Sequence, residues 1–65
     1  MSTITNAAGK EIDFSAACAL MDKEISDTLD DADIETDQAF FDAYCDKHRE
    51  KFGDEFEPNK PNPVW

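Results

Sequence analysis

The segment Thr36-Asp37-Gln38-Ala39-Phe40-Phe41-Asp42-Ala43-Tyr44-Cys45-Asp46-Lys47-His48-Arg49-Glu50-Lys51-Phe52-Gly53 decides the fold. Thr36 is a good helix N-cap, Asp37 puts negative charge against the positive end of the first turn, and Gly53 stands where a helix stops. Between these signals Phe41, Tyr44, Cys45, His48 and Phe52 recur on one helical stripe. The pattern predicts a helix over residues 37–52 with that stripe turned to the core.

Working back toward the N-terminus, Ser15 reads as a second N-cap with Phe14 as its apolar staple. Ala17, Cys18, Met21, Ile25, Thr28 and Leu29 follow at helical spacing. One helix over 15–29 is predicted, packed antiparallel to the first. The linker Asp30-Asp31-Ala32-Asp33-Ile34-Glu35 is a short loop in which Ile34 plugs the core where the chain turns.

Further out, Thr3-Ile4-Thr5 and Glu11-Ile12-Asp13-Phe14 carry β-formers around the reversal Asn6-Ala7-Ala8-Gly9-Lys10, which predicts an N-terminal β-hairpin lying as a lid over the helices. Asp54-Glu55-Phe56-Glu57 is expected to add a short third strand. Pro58, Pro61 and Pro63 then hold residues 58–65 as an extended tail, with Trp65 folding back onto the sheet. The expected architecture is α+β in a single domain over 1–65: a hairpin, two antiparallel helices, a short C-terminal strand and the tail.

The balance of charge limits what such a domain does. Sixteen acidic residues against six basic ones give a formal charge of -10 in 65 residues. That excess repels phosphate and acidic lipid headgroups, so direct nucleic-acid and membrane binding are set aside and a basic partner is implied. A chain this acidic is disordered if it lacks core material, but five Phe, Tyr44, Trp65 and periodic aliphatics supply it. No leader pattern is evident in the first twenty residues, so a cytoplasmic protein with reduced Cys18 and Cys45 is expected, acting as a monomer.

The charge is also unevenly placed. From Asp22 to Asp37 there are eight acids (Asp22, Glu24, Asp27, Asp30, Asp31, Asp33, Glu35, Asp37) against Lys23, a net of -7 in sixteen residues. On the 37–52 helix, Asp42, Asp46 and Glu50 fall at i, i+4 and i+8 on the side opposite Phe41 and Tyr44. Rungs of that kind stand about 6 Å apart, comparable with phosphates along a nucleic-acid strand. Acids on outer helix faces usually serve solubility, but solubility requires much less than this excess. Asp22, Asp27, Asp30, Asp31, Asp33, Asp42, Asp46 and Glu50 are therefore the candidate contacts for a partner whose Lys/Arg-lined groove normally holds nucleic acid.

Catalytic and metal readings are weaker. Counting from Asp31, acids at alternate positions echo a calcium-binding EF-hand loop, but Thr36 occupies the glycine position, Gln38 an aliphatic one, and Asp42 replaces the bidentate Glu. Cys45 and His48 lie on the core stripe with no third orienting group, and two cysteines with one histidine fall short of four zinc ligands. No nucleophile elbow or phosphate loop is present. A non-enzymatic protein without cofactor or metal is expected.

The run from Met1 through Ala17, then Ala19-Leu20-Met21-Asp22, Phe40-Phe41-Asp42-Ala43-Tyr44 and Lys51-Phe52-Gly53-Asp54-Glu55-Phe56 resembles anti-CRISPR proteins of the subtype I-C class, carried on mobile genetic elements. The resemblance spans nearly the whole chain without a catalytic signature. It implies a stoichiometric inhibitor in the bacterial host cell, whose partner is the RNA-guided type I surveillance complex and whose acidic surface mimics DNA to block target binding. It fixes no individual contact, so the acids named above rest on charge and spacing alone. Two other readings stand beside it: an acidic module of another kind, such as an anti-restriction factor or antitoxin, and a calcium-binding regulator.

Overall fold

A computed structural model describes residues 2–60. Strands β1 (Thr3–Thr5) and β2 (Glu11–Asp13) pair antiparallel in the register Thr3↔Asp13, Ile4↔Ile12, Thr5↔Glu11, and helices α1 (Phe14–Leu20), α2 (Lys23–Asp31) and α3 (Asp37–Phe52) follow. A 3-10 turn occupies Glu57–Asn59.

The hairpin reverses where Asn, Gly and two alanines predict it. The Gly9 N–H donates to the Asn6 carbonyl at 2.9 Å, and Gly9 takes φ +78°, a left-handed conformation that costs glycine little. Period-two alternation sends Ile4 and Ile12 inward, where both are buried. The outer backbone edge of β1 is not left open at Thr5: the Gln38 side chain accepts from its N–H at 2.7 Å and donates to its carbonyl at 3.0 Å. An amide on α3 thus stands in for a third strand and blunts an edge that would otherwise invite pairing.

Helix α3 has the predicted bounds. The Thr36 hydroxyl accepts from Ala39 N–H at 3.1 Å, and Gly53 ends the helix at φ +77° with its N–H on the Arg49 carbonyl. Phe41, Tyr44 and Cys45 are buried beneath the hairpin and meet Ala17, Ile25, Leu29 and Phe56. Ile34 packs against this cluster from the α2–α3 turn, as its place in the linker predicts. Phe52 departs from the expected stripe. It is the last residue of the helix and is exposed.

The helix expected over 15–29 is two helices. Met21 and Asp22 are extended, with ψ of 144° and 129°, and Asp22, not Ser15, is the side-chain cap, accepting from Ile25 N–H at 3.3 Å. The break is held from across the core, where the Tyr44 hydroxyl accepts the Asp22 N–H at 2.6 Å. That bond satisfies a backbone donor that an unbroken helix would have used internally. At the other end, α1 begins one residue early, at Phe14, with Asp13 in the cap position and no side-chain cap bond. Of the two cysteines, Cys18 on α1 is exposed and Cys45 on α3 is buried.

No third strand forms among the described residues. Phe56 drops into the core against Tyr44, with ring centroids 4.4 Å apart, and Pro58 closes a 3-10 turn. The segment still reaches the hairpin, by side chains instead of a ladder. Asn6 Nδ2 donates to the Pro58 carbonyl at 2.8 Å, and Ala7 N–H donates to Asn59 Oδ1 at 2.6 Å. Pro58 lacks the N–H that a strand needs, and buried Asn6 supplies the substitute. The predicted fold-back of Trp65 falls on residues outside those described.

Candidate functional site

Helix α2 places its acids by simple periodicity. Ile25 and Leu29 are buried, so Asp27, Asp30 and Asp31 lie on the opposite, exposed face, each within three or four residues of another. Asp33 follows at φ +55°, the left-handed conformation that ends many helices and that Asp tolerates better than most side chains. Four exposed carboxylates are thereby grouped on the last turns of α2 and the bend after it. Among the described residues none of the four is in an ion pair.

Their position opposes helix physics. The C-terminal end of a helix carries partial negative charge, and acids there are generally unfavourable by about 0.3–1 kcal/mol each at low salt. The last turn of α2 has no basic residue. Helix α3 obeys the opposite and ordinary rule, with Asp37 in its first turn and Arg49 and Lys51 in its last. A surface selected for solubility alone has no reason to collect acids at the wrong end of one helix while the neighbouring helix is arranged correctly.

The other predicted residues divide. Asp42, Asp46 and Glu50 are exposed along α3 as expected, but Asp46 pairs with Arg49 at 3.3 Å, Glu50 with Lys47 at 3.8 Å, and Asp42 accepts from Gln38 at 3.2 Å. Gln38 and Arg49 also reach Thr5 and Glu55, which puts Asp42 and Asp46 on the flank of α3 toward the hairpin and the C-terminal segment. Lys47 and Lys51 line the opposite flank, in a groove shared with Ile25 and Thr28 of α2. Glu50 lines that groove too, beside Lys47, so the ladder is interrupted by its own cations and the α2 cluster is the less neutralised of the two acidic groups.

Asp22 is half-buried and engaged within the fold. Lys51 Nζ lies 3.0 Å from its carboxylate and 3.2 Å from that of Glu24, which ties the end of α3 to the start of α2 and makes the two helices antiparallel. The Lys51 hydrogen bond holds the Asp22 carboxyl below the usual carboxylate range, and the same bond raises the Lys51 ammonium above its ordinary value. The pairing fastens the first turn of the acidic helix to the last turn of α3.

Cys45 and His48, the pair on the core stripe, are held by packing. Burial pushes the Cys45 thiol up to about 12, so the thiolate is suppressed, and His48 is enclosed by the rings of Tyr44, Phe52 and Phe56 with Nδ1 2.9 Å from the Asp54 carbonyl oxygen. Thr36, which would occupy the central position of a calcium loop, is instead the cap of α3.

The family model for anti-CRISPR protein AcrIC5 matches residues 5–56, well over half of the chain. The chain belongs to the AcrIC5 family. No curated protein matches it. Membership makes the protein an anti-CRISPR inhibitor of the subtype I-C class, with a CRISPR–Cas partner in the host cell, in a family of typically non-enzymatic inhibitors. The match begins within β1 and ends at Phe56, so it takes in all the candidate acids and the core apart from Ile4. Within this AcrIC5-family chain, no helix of the described residues is long and apolar enough to cross a membrane.

Proposed function

We propose that the protein blocks target DNA binding by a type I surveillance complex, one inhibitor per site, by presenting carboxylates in place of phosphates. Asp27, Asp30, Asp31 and Asp33 form the principal contact, with Asp42, Asp46 and Glu50 as the second group. The observation that carries this reading is the unpaired acidic cluster at the negative end of α2, a placement that costs stability and is explained by a basic partner. Carboxylates on a rigid helix steer onto a Lys/Arg-lined groove through the same field that attracts DNA, and release bound anions from it. Asp22 and Lys51 contribute by fixing α2 against α3.

The test is competition for labelled target DNA on a purified subtype I-C surveillance complex at two salt concentrations. Displacement that weakens at high salt is the expected result. A variant with Asp30→Lys, Asp31→Lys and Asp33→Asn is expected to lose displacement while keeping its helical circular dichroism; Asn is used at position 33 because the left-handed backbone admits it. Undiminished inhibition by that folded variant overturns the contact assignment.

A further inference from the structure

Among the described residues two large apolar side chains are exposed, and both lie near His48. Leu20, at the end of α1, is 52% exposed and Phe52, at the end of α3, is 48% exposed. The ring of His48 lies 4.6 Å from that of Phe52, and with Leu20 it lines a depression of about 380 Å³. Neither exposure is forced. Leu20 is the large aliphatic of α1 that falls off the buried stripe, and Phe52, at the end of α3, lies beside His48 with the Lys51 ammonium 5.3 Å from its ring centroid. Phe56 beneath His48 and Leu20 supply the apolar part of a lining that is otherwise polar, and Asp54, Glu55 and Glu57 outnumber Lys60 around it, with Glu55 3.6 Å from Arg49.

We propose that this patch is the apolar anchor of the inhibitor, receiving an aliphatic or aromatic side chain flanked by Lys or Arg on the partner's DNA-binding surface. The proposal rests on the reading above that the partner surface is basic, and the acidic rim is what selects such an occupant. Charge gives rapid association and is screened by salt; a desolvated apolar contact gives residence that salt does not remove. A protein that must exclude DNA at intracellular salt gains by having both. The acidic cluster of α2 then guides the encounter, and Leu20, His48 and Phe52 hold the complex.

Leu20→Glu separates the two contributions, since it adds an acid while removing the apolar contact. Direct binding of this variant to the purified surveillance complex is expected to weaken at least tenfold, with an unchanged melting temperature. Binding as tight as wild type, or tighter, overturns the proposal, because pure electrostatic mimicry predicts that outcome. Phe52→Gln is the second variant, expected to act in the same direction if the Leu20 change disturbs α1. Should the wild type bind the complex without displacing DNA, the mimicry reading fails while the Leu20→Glu comparison still decides the patch. Absence of any wild-type binding overturns both.

Discussion

Asn6 shows how much of a small fold can depend on one side chain. It is buried, its Nδ2 donates to the Pro58 carbonyl, and its Oδ1 accepts from Ala8 N–H and Lys10 N–H, both at 3.0 Å. Asn6→Ala removes three bonds and leaves backbone groups unpaired, which predicts a loss of about 2–4 kcal/mol in urea denaturation, a large share of the stability of a domain this size. Cys45 governs the alkaline limb. Its pKa in the folded chain is raised to about 12 from 9.0, so its stabilising contribution is intact below the unfolded value and is lost as pH rises from there through the folded value. Melting temperature is therefore expected to fall above about pH 9, and Cys45→Ala is expected to flatten that fall without abolishing it, because burial also raises the Tyr44 phenol. An alkaline limb identical in the variant would mean that Cys45 does not report the core. Iodoacetamide is expected to label exposed Cys18 in the native state and Cys45 only on unfolding, with Cys18 itself slowed because partial burial, and then the nearby acids, raise its pKa.

Helix ends carry most of the element-scale energetics that can be tested. Thr36→Ala and Gly53→Ala, at opposite ends of α3, are each expected to cost about 1 kcal/mol and to add, since they share no partner; each lowers the melting temperature by about 4–8 °C. Asp30→Asn with Asp31→Asn is expected to do the reverse, raising the melting temperature by relieving acids at the negative end of α2 while weakening inhibition. If the pair were only a solvating face, stability would rise and inhibition would stay. These ends also show why the sequence was legible in some places and not in others. The bounds of α3 were readable because Thr36 and Gly53 are local signals that tertiary contacts reinforce. The break at Met21-Asp22 was not, although Asp22-Lys23-Glu24 has the composition of a helix start, because the apolar stripe continues across it. Its decisive partner, the Tyr44 hydroxyl, is 22 positions away. The absent third strand has the same cause: Asn6, 52 positions from Pro58, determines what the C-terminal segment does. The acidic candidates were all visible in the sequence, but their pairing was not, since which carboxylates meet a cation depends on how α2 and α3 face each other.

At the scale of the whole molecule, charge acts on the free protein and on its complex with opposite sign. A formal charge of -10 on 65 residues makes the compact state repel itself, most strongly where the α2 cluster lacks cations. Between 0.01 and 1 M salt the screening length contracts from about 30 Å to about 3 Å, so repulsion among neighbouring carboxylates is progressively removed. Melting temperature is therefore expected to rise with sodium chloride, and to rise less in the Asp30→Asn, Asp31→Asn variant. Affinity for the basic partner falls over the same range as the attraction is screened. Magnesium and calcium at equal concentration are expected to raise the melting temperature alike, since their action is on the field and not on a coordination site; a response specific to sub-millimolar calcium would favour the loop from Asp31 to Asp42 as a cation site. The crossed dependence, a more stable inhibitor with a weaker hold, follows from acids placed for a partner's field at the expense of their own helix. A melting temperature indifferent to salt would show that Lys47, Arg49 and Lys51 already balance the charge within the fold, and would remove the energetic argument for reading the α2 cluster as a binding surface.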